Sequence, residues 1–470
     1  MSFQLAKVFK NRMILQRDEP LRFFGKAKPG VVVTVQIGEE VWSSEADQTS
    51  SFEIVTKAFK TGISPDISIS ALDKKVVLRN CLFGDVFLVS GQSNIEYRLK
   101  QDAEYEKEQP CFRNLGNLRF YNLLAPDDEK AEPFCWEDVN GNISAVAYYF
   151  AKQLRLKNPA VPIGIVGCFK GGTSISSWLP EAMLRGNSLF SERFIQPFER
   201  EISGKSSHDF ERLLEIYQEA VTIYTAKREK YIADHPELTL QEVKQIVGHT
   251  PWPPPATPDS YRAPGMLYTK MFSEAHKMNF SAVLWYQGEE DAQNADLYDF
   301  LLEKLVQEWR IHLGNKPFFI VQLPKYQDAP KDSWALLREK QESVTRKFAN
   351  LHLVVTIDCG ESYNIHPISK RAIGERISFL YEKKESSPMF ERVEKISENH
   401  IKITIKHAKE LTLMGENCVS ASFHLKGNCL FVDVSPETKK VTYAYENHPE
   451  GYLVNEAGVP VSPFKVSLPL

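Results

Sequence analysis

At 470 residues the chain exceeds the usual span of one hydrophobic core, so two or three domains are expected. Its 43% hydrophobic and 25% charged residues are ordinary for a globular protein. A formal net charge of −4 removes the electrostatic case for nucleic acid or an anionic membrane as partner.

No stretch is apolar for long enough to span a bilayer, and the start, Met1 to Lys10, lacks the basic-then-apolar pattern of a secretory leader. The expected location is cytoplasmic as the sequence stands, and periplasmic or secreted if a leader has been removed. The seven cysteines are odd in number and without close pairs, which argues against a disulfide framework or a four-thiolate zinc site.

The first eighty residues read as a β domain. Val31 to Ile37 and Ile67 to Ser70 are β-branched runs punctuated by turn signals such as Lys28-Pro29-Gly30. From residue 81 to about 385 the texture is α/β. Val86–Val89, Ile163–Val166, Ala282–Trp285, Phe318–Val321 and Leu353–Ile357 read as buried strands. Between them, Ile143, Val146, Ala147, Phe150, Ala151 and Leu154 fall on one helical face. Strands flanked by helices predict a doubly wound parallel sheet, whose sites lie at the carboxyl ends of its strands. Residues from about 185 to 262 interrupt that rhythm as a helical insertion, closed by Pro251-Trp252-Pro253-Pro254-Pro255, and could form one wall of a site. Alternation in Ile401–Ile405 and Leu430–Val434 makes residues 386–470 a C-terminal β-rich region.

Four strand ends carry chemistry. Ser93 follows a strand and Gly91 directly and precedes a segment that can start a helix, where unpaired N–H groups favour a developing oxyanion. The same position suits a helix N-cap serine. His366, in Tyr363-Asn364-Ile365-His366-Pro367, can reach the same sheet edge and accept a proton, although a surface histidine in a proline turn reads alike. Gly171-Gly172 offers free N–H donors or a flexible turn. In Trp285-Tyr286-Gln287-Gly288-Glu289, Gln287 can donate to an oxyanion and the two aromatic rings can stack on a sugar. A strand end turning polar towards solvent reads the same way. Each of the four lies just after a strand of one sheet, where the fold would bring them together.

These blocks resemble the sialate O-acetylesterase family of SGNH-type carbohydrate esterases. The resemblance rests on Gly84 to Glu96, on Val161 to Thr173 with Trp178-Leu179, on Ser281 to Glu289, and on Ile357 to Glu361 with Ile365-His366-Pro367. It extends to Met13–Asp18 near the start and to Val441–Tyr445 and Pro460–Phe464 near the end. It implies a flavodoxin-like hydrolase core, Ser93 as nucleophile and His366 as general base. It also implies an oxyanion hole from the Ser93 and Gly172 N–H groups with the Gln287 side chain, and neither cofactor nor metal. The substrate implied is O-acetylated sialic acid; acetylated xylan or another plant glycan is the alternative, and a carbohydrate-binding protein with a decayed site is the alternative of another class. One departure concerns the acid. Asn364 stands where many relatives carry aspartate; it could hold the imidazole by a hydrogen bond but not stabilise an imidazolium, so Glu361 could supply the carboxylate, the serine and histidine could act as a pair, or activity could be weak.

Overall fold

The computed structural model describes residues 3–127, 135–416 and 418–468. At its centre are six parallel strands: β1 (Leu82–Gly91), β2 (Leu118–Asn122), β3 (Ile163–Phe169), β4 (Ala282–Tyr286), β5 (Phe318–Val321) and β6 (Leu351–Val354). They lie in the order β2-β3-β1-β4-β5-β6. The chain leaves β1 towards one edge, returns across it, and builds β4 to β6 on the other side. β1 is therefore the point where strand order reverses, and a crevice opens there at the carboxyl ends. β1 is longer than its neighbours, and its first residues also pair with Ile14–Gln16 and Gly62–Ile63 from the N-terminal part.

The strand sequences explain this placement. β3, β4 and β5 are buried along their whole length, as strands covered on both faces must be. Helix α1 (Ser93–Glu96) follows β1. The face predicted from Ile143 to Leu154 forms α2 (Ala145–Lys157), started by Ser144, whose hydroxyl accepts from the Ala147 N–H. Two expectations shift. The strand at β2, Leu-Arg-Phe-Tyr-Asn, was missed because it lies near the sheet edge and mixes polar with apolar residues. The last predicted strand moves to Leu351–Val354, and Ile357 instead opens a 3₁₀ turn.

The insertion forms α3 (Ser207–Asp234) and α4 (Leu240–Val247), each started by a capping box, Ser206 with Asp209 and Thr239 with Glu242. Tyr224, Val243 and Val247 make a small apolar cluster of their own between them. Helices α5 (Tyr298–Leu313), α6 (Ser333–Thr345) and α7 (Arg371–Lys383) complete the layers around the sheet. No helix among the described residues is long and apolar enough to cross a membrane. All seven cysteines are unpaired.

The N-terminal antiparallel strands share one continuous apolar core with the central sheet, whereas most of the buried apolar residues of the C-terminal strands form a second cluster with Leu353, Val355 and Ile357. That C-terminal part is pinned to the centre by a buried arginine. Arg338 of α6 donates to the carbonyls of Leu323 and Pro324 after β5 and to those of Glu446 and Asn447 in the tail, at 2.7–2.9 Å. Removing acceptors from a buried guanidinium is costly, at about 1.5–3 kcal/mol for each hydrogen bond made by a charged group.

Candidate active site

Register sets the geometry. Gly91 at the end of β1 lies level with Phe169 of β3 and Tyr286 of β4, so the three following loops converge. Gly91 has φ +135°, and a Cβ there would sit 2.0 Å from the Tyr286 carbonyl oxygen. Only glycine lets the chain turn at that point. Gln92 N–H donates to the Tyr286 carbonyl at 3.1 Å, and α1 begins at Ser93.

Ser93 is not the cap of α1. Gln92 holds that position, and the serine hydroxyl points elsewhere: its Oγ is 2.7 Å from His366 Nε2. Ser93 N–H opens the helix, where a backbone donor has no intrahelical acceptor. Both residues line a cavity of about 490 Å³ together with Gln92, Gly171, Gly172, Lys244, Trp252, Glu289, Glu290 and Tyr326.

His366 is held by its main chain. Asn364 donates from Nδ2 to the His366 carbonyl at 2.6 Å and accepts from the His366 N–H at 3.3 Å. Buried Asn94, next to the serine, donates to the Ile365 carbonyl at 2.9 Å and to Glu289 Oε1 at 2.6 Å, and accepts from Lys370 Nζ at 2.6 Å. One asparagine thus ties the serine helix to the histidine loop.

Neither expected supporter of the ring reaches it. Glu361 accepts from Asn364 Nδ2 and the Ile368 N–H, and Asn364 grips backbone rather than imidazole. Among the described residues no carboxylate oxygen lies within 4 Å of either ring nitrogen. The charges nearest the ring are cationic. Burial, then Lys370 and Lys244, pulls the His366 imidazole down to about 3, and burial pulls the Lys370 ammonium down to about 7. The ring is neutral at ordinary pH and can accept a proton. Lowering the pH charges both lysines fully, which holds the imidazole down. With an uncharged aryl acetate, kcat/KM should therefore show no loss from His366 protonation near pH 6.5, and its acid limb should fall below pH 5. A limb centred near 6.5 in a pH–rate profile would contradict this.

Three further expectations are corrected. Gln287 is fully buried, and its Nε2 faces Asp291 Oδ2 at 2.6 Å, the Thr173 carbonyl at 3.0 Å and Gln92 Oε1 at 3.1 Å. Its two hydrogens are spent inside the protein, so it braces the loop instead of donating to an oxyanion. Trp285 and Tyr286 are also fully buried and cannot wall a sugar site. Trp285 packs edge-on against Trp178 and Trp309 at 6.0 and 5.5 Å.

Other residues take these places. Gln92 Oε1 accepts from Gln287 Nε2 and from the Gly288 and Glu290 N–H groups at 3.1–3.3 Å, which fixes the orientation of its amide. Its Nε2 donates to no acceptor among the described residues, and the side chain lines the cavity beside Ser93. Gly172 (φ +65°) lies directly under the Trp252 indole, since a Cβ there would fall 1.9 Å from the ring. The indole is 49% exposed, and its N–H donates to Glu290 Oε2 at 3.1 Å. The sequence shows this tryptophan only within the proline stretch that closes the insertion; its partnership with Gly172 exists only in three dimensions.

A family model described as "Carbohydrate esterase, sialic acid-specific acetylesterase" matches residues 83–204 and 253–381, more than half of the chain. The chain belongs to that family. It is a carboxylic ester hydrolase. Over 429 residues it is 23% identical to the sialate O-acetylesterase of Mus musculus, with 80% of this chain and 72% of that protein covered. The sialate O-acetylesterase of Homo sapiens is 22% identical over 422 residues, covering 80% and 69%. The crystal structure of a carbohydrate acetylesterase from Xanthomonas citri shares the fold with a TM-score of 0.72 at 21% identity, covering 98% of this chain and 99% of that one. Residues 205–252, which carry α3, α4, Lys244 and Trp252, lie outside both ranges matched by the esterase family.

Proposed function

We propose that this esterase removes O-acetyl groups from sialic acid through an acetyl-enzyme on Ser93, with an SGNH-type core and a serine–histidine pair in place of a triad. The observation that carries this reading is the 2.7 Å contact between Ser93 Oγ and His366 Nε2 in an open cavity. Among the described residues lining that cavity, no other hydroxyl is hydrogen-bonded to a histidine.

Ser93 Oγ attacks the acetyl carbonyl carbon while His366 Nε2 takes its proton. The tetrahedral oxyanion is held by the Ser93 and Gly172 N–H groups, with Gln92 Nε2 as third donor where Gln287 is engaged elsewhere. Collapse breaks the bond to the sugar oxygen, which takes the proton from His366 and leaves as a hydroxyl; water, giving a proton to the same base, then attacks the acetyl-serine, and acetate leaves as Ser93 is reprotonated. The main-chain clamp orients His366, and no carboxylate among the described residues stabilises the transient imidazolium, so the base is oriented but weak.

The test uses two readouts. A fluorophosphonate should form its adduct on the peptide containing Ser93, located by mass spectrometry. Acetate release should be faster from O-acetylated sialic acids than from acetylated xylo-oligosaccharides. Absence of an adduct at Ser93 would remove the nucleophile and favour a binding-only protein, and the reverse substrate order would replace sialic acid by a neutral plant glycan.

A further inference from the structure

We infer that Lys244, on helix α4 of the insertion, is the carboxylate-binding residue that makes the cavity selective for an acidic sugar. This rests on the reading of the protein as a sialic acid esterase and names the residue that recognises the acid group.

Four observations support it. First, α4 is placed firmly. Val243 and Val247 pack against Tyr224 of α3, whose hydroxyl donates to the Gly248 carbonyl at 2.7 Å. Second, this docking brings Lys244 into the wall of the cavity that holds Ser93 and His366, where its Nζ donates to Asn364 Oδ1 at 2.6 Å. That bond uses one of three ammonium hydrogens.

Third, the charge has no carboxylate in contact. Among the described residues no carboxylate oxygen lies within 4 Å of Lys244 Nζ, Glu361 acts on it only from a longer distance, and burial of the half-buried group lowers its proton affinity. A partly desolvated cation without an ionic partner favours an anion from outside. The cavity's own carboxyls do not fill that role. Glu96 accepts from the Gly171 N–H, Glu290 from Trp252 Nε1, and burial pushes the carboxyl of Glu289 towards its neutral form.

Fourth, Lys244 lies in the stretch that the family model leaves unmatched, while Ser93, Gly172 and His366 lie inside it. Ser93, Gly172 and His366 belong to the matched frame, and Lys244 to the segment outside it. A carboxylate on the Lys244 ammonium would lie on the His366 side of the cavity, because Asn364 contacts both residues.

The test compares an O-acetylated sialic acid with its 1-carboxamide, which keeps the ring and the ester but lacks the charge. The native protein should favour the acid in kcat/KM by about tenfold or more, as a charge-assisted hydrogen bond allows. Lys244→Gln should bring that ratio close to one, and Lys244→Arg should restore most of it. Because each ratio is taken within one protein, altered basal activity cancels. Should Lys244→Gln not fold, the native protein alone suffices: de-O-acetylated sialic acid should inhibit aryl acetate hydrolysis about tenfold more strongly than its carboxamide, and added salt should erode the difference. Equal ratios in native protein and Lys244→Gln, with sialic acid still the better substrate, would overturn the role of Lys244 and leave the esterase reading intact. No acetate release from any sialic acid would overturn both.

Discussion

Replacing Ser93 by alanine should lower acetate release by about 10⁴-fold or more while leaving the fold and its melting temperature nearly unchanged. The effect is large because in the proposed mechanism the hydroxyl carries the acetyl intermediate, and residual turnover would come from the oxyanion donors and substrate positioning alone. The protein should tolerate the change. Ser93 is half-buried at the cavity wall, its side chain caps no helix, and its one hydrogen bond goes to His366 Nε2. Acetate release and circular dichroism on the same preparation check both halves. Retention of more than a tenth of native activity would show that another group is acylated.

Loss of the Gln92 amide donor should cost about 10²-fold in kcat with little change in KM, because the donor acts on charge that develops only in the transition state. Gln92→Ala tests this but also strips the acceptor that holds the Gly288 and Glu290 N–H groups. Gln92→Glu keeps that acceptor and removes the donor. Both variants should lose activity to a similar or greater degree, with circular dichroism checking that Gln92→Glu, which sets a carboxyl in a buried position, remains folded. Native-like kcat in Gln92→Glu would exclude a donor role.

The parts of this site that were legible in the sequence are those fixed by short-range rules. A strand running into Gly91, a serine opening a helix and a histidine after the last strand needed only local pattern to be placed at one sheet edge. The uncharged side chain at position 364 was also visible, and it accords with a ring that no carboxylate contacts among the described residues. What the sequence concealed was decided by third parties. Gln287 looked like a free donor until Asp291, Thr173 and Gln92 were seen around it. Trp285 and Tyr286 looked like a sugar platform, but strand β4 is covered on both faces, and the tryptophan is taken up by Trp178 and Trp309. Gln92 shows the converse. Its significance depends on which of its two amide atoms is already occupied. Lys244 and Trp252 lie more than a hundred residues from Ser93 and His366 in one direction or the other, in a segment whose helical pattern said nothing of where it docks.

The arginine that joins the tail to the centre also bears on how such a protein can be rearranged. Asn447, one of its acceptors, takes a hydrogen bond from the Tyr326 N–H as well, and Tyr326 lines the catalytic cavity. The last eighty residues are therefore not a detachable module. A chain cut after α7, or fitted with the tail of a distant relative, would leave Arg338 enclosed with half of its carbonyl partners missing, and the loop bearing Tyr326 would lose its anchor. Core and tail can be exchanged between relatives only as a matched pair, so that two backbone oxygens arrive where residues 446 and 447 now stand.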